Sequence, residues 1–187
     1  LGLETVMSEW IEILNNPPAS RKEKTPWRYN ERAAVSSLAG AVWRNDEGFA
    51  IEEFDYHKSD TSTGFGRCDL WCRLGSNQYA MEFKYSRLHL RRDSEFSSIV
   101  RNLLADAKAD AKRMSTYDDN RSLVAGAFVI PVIDMSRDGW SDLFESSDEL
   151  LNRVTNALRL PETLRAWYFL SDEELQTFPD SQNPDLV

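Results

Sequence analysis

The stretch Arg67-Cys68-Asp69-Leu70-Trp71-Cys72-Arg73-Leu74-Gly75-Ser76-Asn77-Gln78-Tyr79-Ala80-Met81-Glu82-Phe83-Lys84 decides how this chain is read. Two runs with strand-forming residues flank Gly75-Ser76, and a two-residue loop with Gly first suits a type II′ hairpin turn. If Gly75-Ser76 is that loop, Leu74 faces Asn77 and the register follows by counting outward. Cys72 then pairs with Tyr79, Leu70 with Met81 and Cys68 with Phe83, which gives one face to the core. The other face pairs Arg73 with Gln78, Trp71 with Ala80, Asp69 with Glu82 and Arg67 with Lys84. A slip of one residue would mix the two faces, which favours this register.

In this register Asp69 and Glu82 are direct cross-strand neighbours, with Cβ atoms about 5 Å apart. Two like charges so placed destabilise a sheet unless something offsets them. A hard divalent cation held by carboxylate oxygens would do so. Lys84 lies two residues past Glu82 on the same face, within reach of such an ion. This set suits metal-assisted phosphodiester hydrolysis: the ion binds a phosphate oxygen, acidifies a water and neutralises charge in the transition state. A lysine beside it orients or activates the water, or stabilises the developing charge. The competing reading is a solvated salt-bridge ladder of Arg67, Asp69, Glu82 and Lys84 on an exposed sheet face. An acid-x-Lys triplet also occurs at Asp106-Ala107-Lys108 and Asp110-Ala111-Lys112. Those two fall in a predicted helix, where positions two apart do not share a face.

Outward from the hairpin, the periodicity predicts a first helix from about Leu3 to Leu14, ended by Asn15-Asn16-Pro17-Pro18. A second helix starts at Asn30, a good N-cap, and carries Val35, Leu38, Ala41 and Val42 at helical spacing. Asp46-Glu47-Gly48 breaks it, and a strand fits Phe49 to Tyr56. The Ser59–Gly66 stretch reads as a loop. A long helix is expected over about Glu95 to Met114. The continuous apolar run Leu123 to Val132 suggests a fully buried central strand. A helix near Leu143–Leu158, a strand near Arg165–Leu170 and a frayed end after Pro179 complete the expectation. The order calls for an α/β domain with a mixed sheet and helices on its faces, and the whole chain, 1–187, reads as one domain.

Composition narrows the classes. The chain has 187 residues, 41% of them hydrophobic, with six Trp and nine Phe, which argues for a packed core. No apolar run approaches the ~20 residues of a membrane helix, and the N-terminal stretch is amphipathic rather than a basic-then-apolar leader. Cys68 and Cys72 share one predicted strand and point the same way, too far apart to bridge, so they read as reduced core thiols of a cytoplasmic protein. With only His57 and His89 and no zinc-ligand spacing, a structural zinc site is not expected. There is no phosphate-binding glycine loop of the GxxxxGK[ST] or GxGxxG kind and no convincing Ser-His-Asp set.

The net charge of −9 is awkward for a nucleic-acid binder. The tail 171–187 accounts for −5 of it through Asp172, Glu173, Glu174, Asp180 and Asp185. Two segments are locally basic. Arg21 to Arg44 carries six basic against two acidic residues, and Glu82 to Arg92 carries four against one. Exposed charges more than ~8–10 Å apart are largely screened, so an acidic tail does not forbid local phosphate binding.

At Asp69, Glu82 and Lys84 the sequence resembles the PD-(D/E)XK nuclease superfamily, the restriction-endonuclease-like fold. Its motif is an Asp on one strand of a hairpin and acid-x-Lys on the next. The family's Pro before the first Asp is replaced by Cys68. The resemblance implies a core of helix, three strands, helix and strand, which matches about Asn30 to Val132. It also implies Mg²⁺ or Mn²⁺ held by Asp69, Glu82 and the backbone carbonyl of Phe83. The additional acid that the family often carries on the preceding helix is best matched by Glu31, with Glu47, Glu52 and Glu53 as weaker substitutes; a first-turn acid also favours the helix dipole. Arg28, Arg32, Arg87, Arg91 and Arg92 are the candidate phosphate contacts.

The expectation is therefore a metal-dependent nuclease, an endonuclease acting on DNA rather than RNA, with a homodimer or a protein partner admitted and no membrane association. The alternative is a catalytically silent nuclease-fold protein that binds nucleic acid or protein as a regulatory module.

Overall fold

Asn30 sets the start of the segment that positions the site. Its backbone is extended and its side-chain oxygen accepts a hydrogen bond from the Ala33 N–H at 2.9 Å, which satisfies one orphan donor of the helix behind it. The computed structural model describes residues 2–15, 30–57, 65–89, 96–114 and 121–132, with the single helical positions 149, 152 and 156. The elements are α1 (Leu3–Asn15), α2 (Glu31–Trp43), β1 (Gly48–His57), β2 (Phe65–Leu74), β3 (Asn77–His89), α3 (Phe96–Lys112) and β4 (Arg121–Val132). They make a mixed α/β architecture with a four-stranded sheet in the order β1-β2-β3-β4. The first three strands are antiparallel neighbours, and β4 runs parallel to β3. A parallel neighbour needs a crossover, and α3 supplies it. Of the helix expected near Leu143–Leu158 only Glu149, Asn152 and Asn156 are described, each helical, while the strand expected near Arg165–Leu170 and the acidic tail 171–187 lie outside the described residues.

Gly75 alone of the two turn residues has a positive φ, +60°, as a type II′ turn requires. The hairpin register is the expected one from the turn inward: Leu74 opposite Asn77, Arg73 opposite Gln78, Cys72 opposite Tyr79, Trp71 opposite Ala80 and Leu70 opposite Met81. Leu70, Cys72, Leu74, Met81 and Phe83 face α1 and α2, together with Val35, Leu38, Val42, Val6 and Trp10. The Trp10 indole N–H donates to Ser37 Oγ at 2.8 Å, so its polar edge is satisfied inside that core. A second, smaller core on the other face joins Ala80 to Ala111 and Met114 at the end of α3, with Tyr56 and Cys68.

Two expectations are corrected. β4 is an edge strand among the described residues, and Leu123 is 38% exposed, so the run Leu123–Val132 is not a fully buried central strand. Its apolar continuity has another cause. Val124 and Phe128 belong to the core under α1 and α2, and Ala125 packs with the core under α3. Helix-covered faces, not strands on both edges, keep it apolar.

The second correction concerns the hairpin beyond Leu70 and Met81. The β2–β3 ladder stops there, so Asp69–Glu82, Cys68–Phe83 and Arg67–Lys84 are not paired rungs. The β1–β2 ladder continues to His57 opposite Phe65, but it skips the rung between Glu53 and Asp69. Glu53 holds a left-handed φ of 52°. Leu70 lies in the core under α1 and α2, whereas Cys68 lies in the core under α3. Alternation is therefore broken across Asp69, and the adjacent kink at Glu53 keeps β1 and β2 in register through it. The sheet forks: β1 and β2 leave together on one side, β3 and β4 on the other.

Candidate functional site

Asp69 stands where the fork opens. Pairs 74–77, 72–79 and 70–81 exchange backbone hydrogen bonds in a two-residue hairpin, so the next such pair would be 68–83. That rung is replaced: the Phe83 N–H donates to Asp69 Oδ2 at 2.6 Å. In a regular strand the Phe83 carbonyl lies on the same side as its N–H. Phe83 itself is fixed from behind. Its ring stacks on Phe128 at 4.8 Å between centroids and lies directly over Gly126, its neighbour across the parallel pair. Any Cβ at position 126 would collide with that ring.

Glu82 projects to the opposite face from Phe83 and is 6% exposed. It accepts a hydrogen bond from the Tyr56 hydroxyl at 3.3 Å, which brings β1 to β3 across the fork. Asp69 and Glu82 also hydrogen-bond to each other. Burial is the main cause that raises the Asp69 pKa, opposed by the Phe83 amide, by Glu82 and by Lys84. Burial, then the Glu82 charge, holds the Tyr56 phenol well above its ordinary value. The same two influences push the Cys68 thiol up to about 12, and burial does so for Cys72. Both cysteines are free and buried, as their spacing led one to expect.

Glu31 enters from the first turn of α2. Its pKa is raised first by burial and then by the Asp69 charge, while Lys84 and a hydrogen bond from the Tyr85 backbone amide oppose this. Lys84 turns toward α3, where Nζ meets Asp110 Oδ2 at 2.5 Å. This hydrogen bond is the main cause that raises the Lys84 pKa, so the side chain is an ammonium at neutral pH. Asp110 Oδ1 takes a second cation, Arg113, at 3.1 Å.

The structure thus brings Glu31, Asp69, Glu82 and Lys84 into one electrostatic neighbourhood. The arginines fare differently. Arg32, 74% exposed at its side chain, is held by Glu53 at 2.8 Å, and Arg67 bridges Glu53 and Asp55. Arg87 Nε donates to the Tyr85 hydroxyl at 3.3 Å. Arg28, Arg91 and Arg92 lie outside the described residues. Glu52 accepts from Ser36 Oγ and Glu53 serves the two arginines, while the Glu47 carbonyl accepts from the Gly75 N–H at the hairpin turn.

Sequence reasoning missed two members, Tyr56 and Asp110. For Asp110 a signal existed: Ala107 and Ala111, both buried, mark the side of α3 turned to the sheet, and Asp110 flanks it. For Tyr56 there was none, because its face depends on the kink at Glu53.

Among the described residues no three His, Cys, Asp or Glu side chains converge as a ready metal shell. Two carboxyl groups hydrogen-bonded to each other nonetheless need a proton or a cation between them. Asp69, Glu82 and the Phe83 carbonyl are all oxygen donors. That set fits Mg²⁺ or Mn²⁺, which typically use one or two carboxylates and complete their shells with water and phosphate oxygens.

No protein-family model matches the chain, and neither a curated protein nor a solved structure shows significant similarity to it.

Proposed function

We propose that this chain is a metal-dependent nuclease of the PD-(D/E)XK, restriction-endonuclease-like type, an endonuclease acting on DNA in preference to RNA. The observation that carries the reading is the fork, where the Asp69 carboxylate meets the Phe83 backbone N–H and the Glu82 side chain, with the Lys84 ammonium on the same strand. The order helix, three strands, helix, strand from α2 to β4, with the last strand parallel to its neighbour, supports the same reading.

Asp69, Glu82 and the Phe83 carbonyl would hold Mg²⁺ or Mn²⁺. When bound, the ion supplies a Lewis acid for the phosphate and an acidified water. The chain's residues do the rest. The Phe83 amide fixes the Asp69 carboxylate, and the Tyr56 hydroxyl fixes Glu82. Lys84, being charged, orients the attacking water and offsets negative charge on the phosphate rather than accepting a proton. Glu31 is the supporting acid on the α2 side. Arg32 and Arg87, released from their present partners, are the described candidates for flanking phosphates. Two free buried thiols support a reducing, cytoplasmic setting. No helix among the described residues is long and apolar enough to cross a membrane.

The test is cleavage of DNA and RNA with Mg²⁺ or Mn²⁺ by wild type, Asp69→Ala and Lys84→Ala. Metal-dependent cleavage by wild type and its loss in both variants is expected; equal cleavage by all three sinks the site. The net charge of −9 favours a second reading, a silent nuclease-fold module that binds a basic partner. A stable co-purifying protein with no metal binding would select it.

A further inference from the structure

Lys84 has a choice of anions. It lies two residues beyond Glu82 on the same face of β3, and it interacts electrostatically with Glu31 and Glu82 as well as with Asp110. An ammonium lodged between Asp69 and Glu82 would neutralise that pair from within the chain and occupy the place of a metal ion. The side chain is committed elsewhere, to Asp110 at 2.5 Å.

Asp110 sits in the last turn of α3 (Phe96–Lys112). An acid there opposes the helix dipole. Its two oxygens are spent on two cations, Oδ2 on Lys84 of β3 and Oδ1 on Arg113 at the helix end. Arg113 offsets the local dipole cost. That leaves the other oxygen aimed across the helix–sheet interface at Lys84.

We infer that Asp110 is a positioning residue: it draws the Lys84 ammonium to α3 and thereby keeps the Asp69–Glu82 pair open to a divalent cation that Lys84 would otherwise displace. This rests on the reading of Asp69 and Glu82 as metal ligands. It separates two tasks that compete for one strand, holding a cation at Glu82 and presenting a cation at Lys84.

The experiment is Mn²⁺ titration by calorimetry on the full chain, for wild type, Asp110→Asn, Lys84→Met and the double variant, with thermal melts to confirm folding. Asp110→Asn weakens Mn²⁺ binding at least ~10-fold in the wild-type background, because Lys84 then falls onto the carboxylate pair. The same substitution in the Lys84→Met background changes binding less than about twofold, since no ammonium is left to compete. A plain loss of one negative charge would give equal effects in the two backgrounds, so the coupling is the readout. Equal losses in both backgrounds, or no loss in either, overturn the inference while leaving the metal site standing. Absence of Mn²⁺ binding by wild type overturns the metal reading and this inference together. Should Asp110→Asn fail to fold, Lys84→Met decides alone: it binds Mn²⁺ at least as tightly as wild type, and a tenfold loss overturns the inference.

Discussion

The Asp69 carboxylate accepts, at 2.6 Å, the Phe83 backbone N–H that a continued hairpin would have given to the Cys68 carbonyl. A side chain has taken over a rung of the ladder. The carboxylate so held is also the one whose burial raises its pKa and which has another carboxyl group, Glu82, as a side-chain partner.

Asp69→Asn should therefore stabilise the metal-free protein at neutral pH, by about 1 kcal/mol. The amide oxygen still accepts from Phe83, and the amide N–H₂ gains a donor bond to Glu82. The sign with pH follows from the raised pKa values of Asp69 and Glu31. From their ordinary values, 3.8 and 4.5, up to their raised ones, the folded chain holds protons that the unfolded chain has released. Stability thus falls as pH rises through that window. Melting temperatures across pH 3.5–8 should show the gap between wild type and Asp69→Asn widening upward and closing toward pH 3.8. A gap independent of pH would refute the assignment.

Tyr56→Phe removes the hydroxyl that donates to the buried Glu82 carboxylate. A loss of about 1–2 kcal/mol is expected in urea denaturation, since a buried carboxylate loses a donor and gains none. On the proposed function, the variant also loses cleavage rate. A variant as stable as wild type would show that Glu82 is satisfied without the phenol.

Glu53 is the one non-glycine residue with positive φ among the described residues. Glu53→Gly relieves that strain, by about 1 kcal/mol, and loses exposed ion pairs to Arg32 and Arg67 worth less than that. It should be neutral or slightly stabilising in chemical denaturation. Glu53→Val, β-branched at the same φ, should cost about 2 kcal/mol or more. Equal effects of the two would mean that the kink does not depend on residue 53.

Gly126→Ala places a methyl group against the Phe83 ring. That ring is stacked on Phe128, and Phe128 in turn meets Trp10 at 5.6 Å, so relief requires repacking the core. A destabilisation of about 2–3 kcal/mol is expected, with the site disturbed through Phe83. A near-neutral melt would show that the ring moves freely.

The hairpin shows what was legible in the sequence and where legibility ended. Gly75 announced the turn type, and alternation gave the register from Leu74–Asn77 to Leu70–Met81. Asn30 gave the start of α2. Beyond Leu70 the count assumed an unbroken pleat, and nothing in the side chain of Glu53 announces a left-handed backbone. So Asp69 and Glu82 meet through a fork, not as the directly opposed rung that the count gives. By spacing alone Asp110-Ala111-Lys112 makes no site, because residues two apart on a helix do not share a face. The role of Asp110 comes from a neighbouring element, which a local triplet does not contain. The apolar run of β4 reported covered faces and was silent about its edge.

Phe83 is gripped from one side by Gly126 and Phe128 while Glu82 and Lys84, its two chain neighbours, face the other way. For amide hydrogen exchange this has a plain meaning. Releasing Phe83 means unseating the aromatic stack of the main core. The Phe83 amide, held by Asp69, should therefore exchange only through large openings of the molecule. On that expectation, whatever chemistry Glu82 and Lys84 perform is flanked by one of the last parts of the molecule to open.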